Sequence, residues 1–210
     1  NTKFKIGQFK QAFGLEELVS SNGITFMDRS VAISDAPSRT VGFQASTYSN
    51  NWQVAVGIFG ESVGNEGRSD DSTYSGSLRI SYAPINFNGN LVHLGLASAI
   101  LSKDRNTVDS GSGNITADIV DKEALYGAEF ALGLNSLSLQ GEYIINDTTY
   151  DKDAIGTGVI TTTGKKATYE SHYIQTSYIL TGENRIYKTN SGAFKGVKVK
   201  NSVDNRAGIF

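Results

Sequence analysis

The sequence KFKIGQFKQAFGLEELVSSNGITFMDRSV, residues 3–31, decides how the rest of the chain is interpreted. It begins with a strand-like run and passes through Gly14 into a segment too apolar and too helix-prone for a surface loop. In a helix, Leu15, Leu18 and Val19 share one face. A strand that leads into such a long, partly apolar loop needs a surface for the loop to pack against. The inside wall of a β-barrel provides one.

The remainder of the chain alternates strand-like runs with turns and loops. Apolar and polar residues alternate along each run, which is typical of a strand whose two faces meet different surroundings. Val54 and Val56, for example, share the face opposite Gln53. The predicted strands are RTVGFQASTY (39–48), WQVAVGIFGE (52–61), SLRISYAPINF (77–87), LVHLGLASAIL (91–101), LYGAEFALGL (125–134), LSLQGEYIIN (137–146) and ATYESHYIQTSYIL (167–180).

The connections between these strands alternate in length. Tight turns lie at 49–51, 88–90 and 135–136, and long polar connections lie at 64–75, 102–122 and 147–166. Outer-membrane barrels have this rhythm, with short turns at one end and long loops at the other. A soluble β-sandwich also alternates polar and apolar residues but does not need the rhythm. The pattern predicts an all-β, antiparallel, up-and-down transmembrane barrel, with a soluble sandwich adhesin as an alternative.

Composition limits the other classes of function. The 210 residues include 23 Gly and no Cys, which excludes disulfides and thiolate metal sites. No apolar run approaches the roughly 20 residues of a membrane helix. The formal net charge of -2 argues against a nucleic-acid partner. The two histidines, His93 and His172, lack a carboxylate and a nucleophile at a recognisable spacing, so the sequence predicts no enzyme, no cofactor and no metal site.

Several motifs carry a family resemblance. The chain resembles the phosphate-selective porin O and P family, with one local departure: Gln11 follows Lys10 where the family commonly has proline. The motifs are GQFK (7–10), FGLE (13–16), TFMDRS (25–30), YGAE (126–129), LSLQGEY (137–143), SYILTGENRIY (177–187), GAF (192–194) and VKVK (197–200).

This resemblance implies an anion-conducting β-barrel of roughly 16 strands in the bacterial outer membrane, and a homotrimer in contact with membrane lipid. The chain would supply about half of the wall. We therefore expect residues 1–210 to form one porin domain that is incomplete at both ends. Its expected function is passive diffusion of small anions such as phosphate through a water-filled lumen. The alternative is a structural barrel with a plugged lumen and partner-binding surface loops.

Basic side chains on the lumen wall or on an infolded loop can donate charge-assisted hydrogen bonds to a passing oxyanion. The segment from Gly14 to Ser38 is expected to narrow the pore. Its predicted constriction residues are Leu15, Glu16, Phe26 and Met27. The candidate pore-lining, anion-binding residues are Lys3, Lys5, Lys10, Arg29, Arg79, Lys195, Lys198 and Lys200.

Each basic candidate also has a structural interpretation. Lys10 can pair with Glu16 or Glu17 and simply anchor the loop, and Arg29 can pair with the adjacent Asp28. Lys3 and Lys5 can be solvated wall residues, and the basic cluster from Arg185 to Lys200 can bind at the rim of the barrel. Two carboxylates, Glu129 and Glu142, are expected to face inward. They oppose simple anion selectivity, unless they hold lumen arginines from strands outside the chain.

Overall fold

The wall of the protein is a single sheet of long strands. A computed structural model describes residues 1–60, 74–102, 120–150 and 166–197. The eight strands of the wall are β1 (Thr2–Lys10), β2 (Arg39–Tyr48), β3 (Trp52–Phe59), β4 (Ser75–Phe87), β5 (Asn90–Ser102), β6 (Val120–Leu134), β7 (Leu137–Tyr150) and β8 (Lys166–Tyr178). Each strand pairs antiparallel with the next, in the order β1 to β8. This confirms the predicted all-β, up-and-down fold.

The remaining elements are short. They are the helical turn α1 (Leu15–Leu18), two 3₁₀ turns at Ser21–Gly23 and Val31–Ile33, and the strands β9 (Arg185–Lys188) and β10 (Ala193–Val197). Strands β9 and β10 pair with each other as a separate hairpin. In the described part of the chain no helix is long and apolar enough to cross a bilayer.

The tight turns form as expected. Asn88, with φ 49°, and Gly89, with φ 79°, connect β4 to β5, and Asn135, with φ 53°, lies between β6 and β7. Asn and Gly tolerate this left-handed region, which two-residue hairpin turns require. Strands β4 to β7 are longer than predicted, whereas β3 and β8 end two residues earlier than predicted. β6 begins at Val120 and β7 continues to Tyr150, because cross-strand backbone bonds continue through polar residues such as Thr148, opposite Glu123.

The two faces of the sheet differ in polarity, and the apolar face is the exposed one. Val56 is 52% exposed and Leu94 is 54% exposed, whereas Gln53, Arg79 and Ser81 on the opposite face are at most 4% exposed. No residue of this outward face belongs to either hydrophobic cluster of the described residues. A soluble sandwich would bury these apolar residues against a second sheet, so the sandwich alternative does not fit the structure.

Two segments cover the opposite, inner face of the sheet. The first is residues 11–38, between β1 and β2, called here the infolded loop. The second is the β9–β10 hairpin, Arg185–Val197, which follows the end of β8. By strand order, the infolded loop starts at the end of the sheet with the long connections, and the hairpin starts at the end with the tight turns. They therefore meet from opposite ends.

Apolar contacts hold both segments on the wall. Leu15 and Val19 of the infolded loop pack in one buried cluster with Leu91 of the wall and with Tyr187 and Phe194 of the hairpin. A second cluster joins two other loop residues to four small or aliphatic wall residues. Its members are Phe13, Ile33, Ala97, Ala99, Leu125 and Ile144. Full burial of a side chain such as Leu15 contributes about 1.5–3 kcal/mol to folding.

The exposed apolar face predicts a measurable penalty for charge. Leu96 lies in the middle of β5 and is 65% exposed on the outward face. If lipid covers this face, Leu96→Arg should reduce the free energy of unfolding by about 2–4 kcal/mol in a bilayer. The measurement is reversible denaturant unfolding of the protein reconstituted in lipid vesicles. Leu96→Met, the control, should change it by less than about 1.5 kcal/mol. Equal stability of the arginine and methionine variants would contradict a lipid-facing surface.

Candidate functional site

The infolded loop starts with a sharp change of direction after β1. Gln11 donates from Nε2 to Ser75 Oγ at 2.7 Å and to Thr40 Oγ1 at 3.1 Å. This glutamine, which takes the place of the expected proline, therefore ties the loop to the wall. Gly14 follows with φ 71°, and a Cβ atom there would lie 3.2 Å from the Glu142 carboxylate. Glycine suits this position because the backbone is left-handed and close to the wall.

Glu142 of β7 binds the start of α1. Its carboxylate accepts hydrogen bonds from the backbone N–H of Leu15 at 2.8 Å and of Glu16 at 2.7 Å. The Tyr173 hydroxyl of β8 donates a third at 2.7 Å. The first N–H groups of a helical turn have no partners within the turn. Here Glu142 of the wall supplies the acceptors for these N–H groups, and this fixes the loop at this point.

Glu17 of the infolded loop forms salt bridges with two of the predicted anion-binding residues. Its carboxylate lies 2.9 Å from Lys10 Nζ and 3.3 Å from Arg29 Nε. Arg29 also donates to the carbonyl of Val19 at 2.7 Å. Lys10 therefore pairs as the structural interpretation expects, whereas Arg29 pairs with Glu17 instead of Asp28. Both cations hold the loop together in this structure.

The four predicted constriction residues divide into two pairs. Leu15 and Glu16 are buried at the wall, at 0% and 2% exposure, whereas Phe26 and Met27 are 59% and 98% exposed. The Glu16 carboxylate accepts from the backbone N–H of Ser30 at 3.0 Å and from Gln175 Nε2 at 3.3 Å. Leu15 and Glu16 thus attach the infolded loop, and Phe26 and Met27 form its exposed part.

Arg79, one of the predicted anion-binding residues, forms an ion pair on the inner face. Its side chain is fully buried and lies 2.7 Å from the Glu129 carboxylate of β6. It also donates to the backbone carbonyls of Gly192 at 2.6 Å and Ser191 at 3.2 Å, both in the hairpin. The guanidinium therefore joins wall to hairpin. Glu129 does hold an arginine, as the sequence analysis considered, but the arginine comes from this chain.

Aromatic contacts complete the attachment of the hairpin. The Tyr187 hydroxyl lies 2.6 Å from His93 Nδ1 on the wall. Arg185 stacks over the Phe194 ring at 3.9 Å and donates to Gln140 Oε1 at 2.6 Å. Burial lowers the pKa of Arg185 to about 10, so the guanidinium remains charged at neutral pH.

Four lysines keep exposed charges near the hairpin. Lys3 and Lys5 lie opposite Ser46 and Gln44, both buried inner-face residues, so they share the inner face of the wall. Lys188 and Lys195 are on the hairpin. The Lys195 ammonium lowers the pKa of Lys188, and Lys3 adds a smaller effect, so these three charges lie near one another.

Among the described residues, none of these four lysines forms a salt bridge. Lys3 contacts the Tyr48 ring at 4.9 Å and Lys5 the Phe9 ring at 5.5 Å. The other two predicted lysines, Lys198 and Lys200, lie outside the described residues.

The infolded loop and the hairpin touch each other through their backbones. Gly23 lies so close to the carbonyl of Lys195 that a Cβ atom on it would be 2.8 Å from the oxygen. The two segments therefore form one continuous layer over the inner face. Within the four described ranges, no group of three or more potential metal ligands is arranged to hold an ion.

Sequence reasoning missed several members of this arrangement. Tyr173 lies in no quoted motif, and Gln140 and Tyr187 lie in motifs but were assigned no role, because an inward polar or aromatic residue is ordinary in a strand. The pairing of β7 with β8 could have predicted one of these contacts, because Tyr173 lies directly opposite Glu142 across the two strands. A tyrosine opposite an inward carboxylate is well placed to donate to it.

Comparison with known proteins agrees with this architecture. The family described as phosphate-selective porin O and P matches residues 1–207. Porin O of Pseudomonas aeruginosa is 26% identical over 230 residues, which cover 94% of this chain and 50% of that protein. The chain thus spans about half the length of the curated relative it matches. Both matches are to porins, which are proteins of the bacterial outer membrane. The chain belongs to the phosphate-selective porin O and P family.

Proposed function

We propose that the protein lets small anions, phosphate among them, diffuse passively through a water-filled lumen in the outer membrane of a Gram-negative bacterium. In this proposal residues 1–210 are part of one barrel domain of roughly 16 strands, the outward face contacts lipid, and the barrel assembles as a homotrimer. The observation that carries the proposal is the unequal pairing of charges over the inner face: Glu17, Glu129 and Glu142 are bound, whereas the four lysines are exposed and form no salt bridge among the described residues.

Three carboxylates are bound by cations or hydrogen-bond donors that partly neutralise their charge. Glu129 faces Arg79, Glu17 faces Lys10 and Arg29, and Glu142 accepts three hydrogen bonds. A carboxylate bound in this way repels a passing anion less than a free one, because its charge is partly neutralised by its donors.

The exposed lysines suit transient binding. An ammonium group donates charge-assisted hydrogen bonds to phosphate oxygens, and a flexible lysine releases its ligand easily. Lys3 and Lys5 on the wall and Lys188 and Lys195 on the hairpin offer several such groups along one surface. Several weak sites in series serve transport better than one tight site, because the ion also has to leave. The infolded loop and the hairpin narrow the passage beside them.

The first prediction of the proposed function concerns ion conduction itself. The reconstituted porin should form channels in planar lipid bilayers, and a salt gradient should give a reversal potential of the sign expected for anions. Added phosphate should reduce the chloride current, because both anions compete for the same lysines. A protein without measurable conductance would instead support the plugged structural barrel, and cation selectivity would contradict the proposed role of the lysines.

A second prediction isolates the lysine charges. Lys188→Gln and Lys195→Gln should each reduce the anion-to-cation permeability ratio by about two- to fivefold, the range expected for one exposed charge. Lys122→Gln is the matched control, because Lys122 is exposed on β6 on the outward side of the wall. Reversal potentials of the three variants provide the comparison. Equal ratios for all three would show that the hairpin lysines do not select the ion.

A third prediction follows from the lowered pKa of Lys188. An ordinary lysine loses its charge near pH 10.4, taken as approximate. Since Lys195 destabilises the charged form of Lys188, anion selectivity should begin to fall at a lower pH than that. In Lys195→Gln the neighbouring charge is absent, so the decline should move to higher pH. Reversal potentials measured between neutral pH and about pH 11 test this. An unchanged midpoint would mean that the two lysines do not interact.

A further inference from the structure

Two carboxylates lie side by side on the inner wall. Glu129 of β6 and Glu142 of β7 are direct partners across the two strands, and each is 5% exposed. The Cβ atoms of such partners are about 4.5–5.5 Å apart, and like charges in this position destabilise a sheet. The fold therefore has to compensate both charges, and it does so in different ways.

Glu129 is compensated by the guanidinium of Arg79. Arg79 lies 2.7 Å from its carboxylate, and His93 Nε2 lies 3.6 Å away. Gly95 contributes space, because a side chain there would overlap the same carboxylate. This compensation also fixes the hairpin, since Arg79 binds the carbonyls of Ser191 and Gly192.

Glu142 is compensated by hydrogen-bond donors alone. Within the described residues it forms no salt bridge, and it accepts from Leu15 N–H, Glu16 N–H and the Tyr173 hydroxyl. Two of these three donors belong to the infolded loop. Glu129 lies beside it on β6, the Glu16 carboxylate of the loop accepts from Gln175, and Arg185 of the hairpin donates to Gln140.

This cluster needs a side chain with two acceptor oxygens, because both oxygens of Glu142 accept hydrogen bonds. A carboxylate is a pure acceptor with two oxygens, whereas a carboxamide of the same shape has one oxygen and one donor group. In Glu142→Gln the amide group would face either the Leu15 N–H or the Glu16 N–H, and that N–H would lose its acceptor. A buried N–H without a partner is costly, so the docked loop is destabilised relative to an undocked one.

We propose that Glu142 is the positioning residue of the pore: its carboxylate holds the infolded loop on the wall and thereby sets the width of the passage. This role rests on the proposed function, because width matters only if ions pass. The hairpin has its own ionic attachment through Arg79, so the infolded loop is the part that moves when Glu142 is substituted. Glu142 touches the loop backbone and not the ion, and it acts on conduction through the loop.

The test combines conductance with accessibility of the loop. The 210 residues contain no cysteine, so Val19→Cys is unique among them and places a small thiol at a site that is 1% exposed. A maleimide should label it slowly while the loop is docked. In Glu142→Gln labelling should become about 10- to 100-fold faster, the equivalent of losing one hydrogen bond to a charged group. Single-channel conductance of the same variant should rise and fluctuate.

The matched control is Glu170→Gln. It removes one carboxylate from the adjacent strand β8, where Glu170 is exposed and interacts with Tyr143 of the outward face. Labelling and conductance should both remain unchanged in this control. If Glu142→Gln does not fold, Glu142→Asp provides the second variant, because it keeps the charge but withdraws the carboxylate by one methylene. It should also accelerate labelling.

The outcomes separate the two proposals. Unchanged labelling of Val19→Cys in a folded Glu142 variant overturns the positioning role, whatever the conductance. Faster labelling with unchanged conductance also overturns it, since the loop would then be released without effect on the passage. Faster labelling in a porin whose unsubstituted form passes no anions overturns the proposed function while the attachment of the loop by Glu142 stands.

Discussion

The structure depends on how the buried acidic groups of the wall find hydrogen-bond donors. A strand presents alternate residues to its two faces, and here most of the large apolar residues take the outer one. The inner face therefore carries the polar side chains, and those that are buried require partners. Glu129 obtains an arginine and Glu142 obtains backbone N–H groups and a tyrosine. These partners connect the wall to the infolded loop and the hairpin. The bonds that compensate the buried carboxylates therefore also hold both segments over the inner face.

Small wall residues make this arrangement possible. Ala97, Ala99 and Gly127 leave room for Phe13, whose ring would lie 3.2 Å from a Cβ atom at Gly127. Larger side chains at these positions would keep the infolded loop away from Glu142. The inner face thus combines shallow apolar sites, which provide contact area, with a few polar side chains, which fix the position of each segment.

The sequence predicts the wall better than the contacts over it. Alternation and turn residues give the strands and their order, because both are local properties of the chain. The pairing of Lys10 with Glu17 was also within reach, since the two lie only seven positions apart. The role of Arg79 was not, because its carbonyl partners lie 112 and 113 positions away in the hairpin. Alternation places Arg79 on the inner face, but what covers that face depends on the whole fold.

The long sequence separation of the loop attachment has a consequence for folding order. Leu15 and Glu16 meet Glu142 across 127 and 126 positions, whereas neighbouring wall strands are joined by tight turns at one end. Contacts between distant residues form late, because closing a long loop costs entropy before any bond is gained. The infolded loop therefore docks only after β7 has joined the sheet. During biogenesis the nascent wall exists for a time without the infolded loop on its inner face.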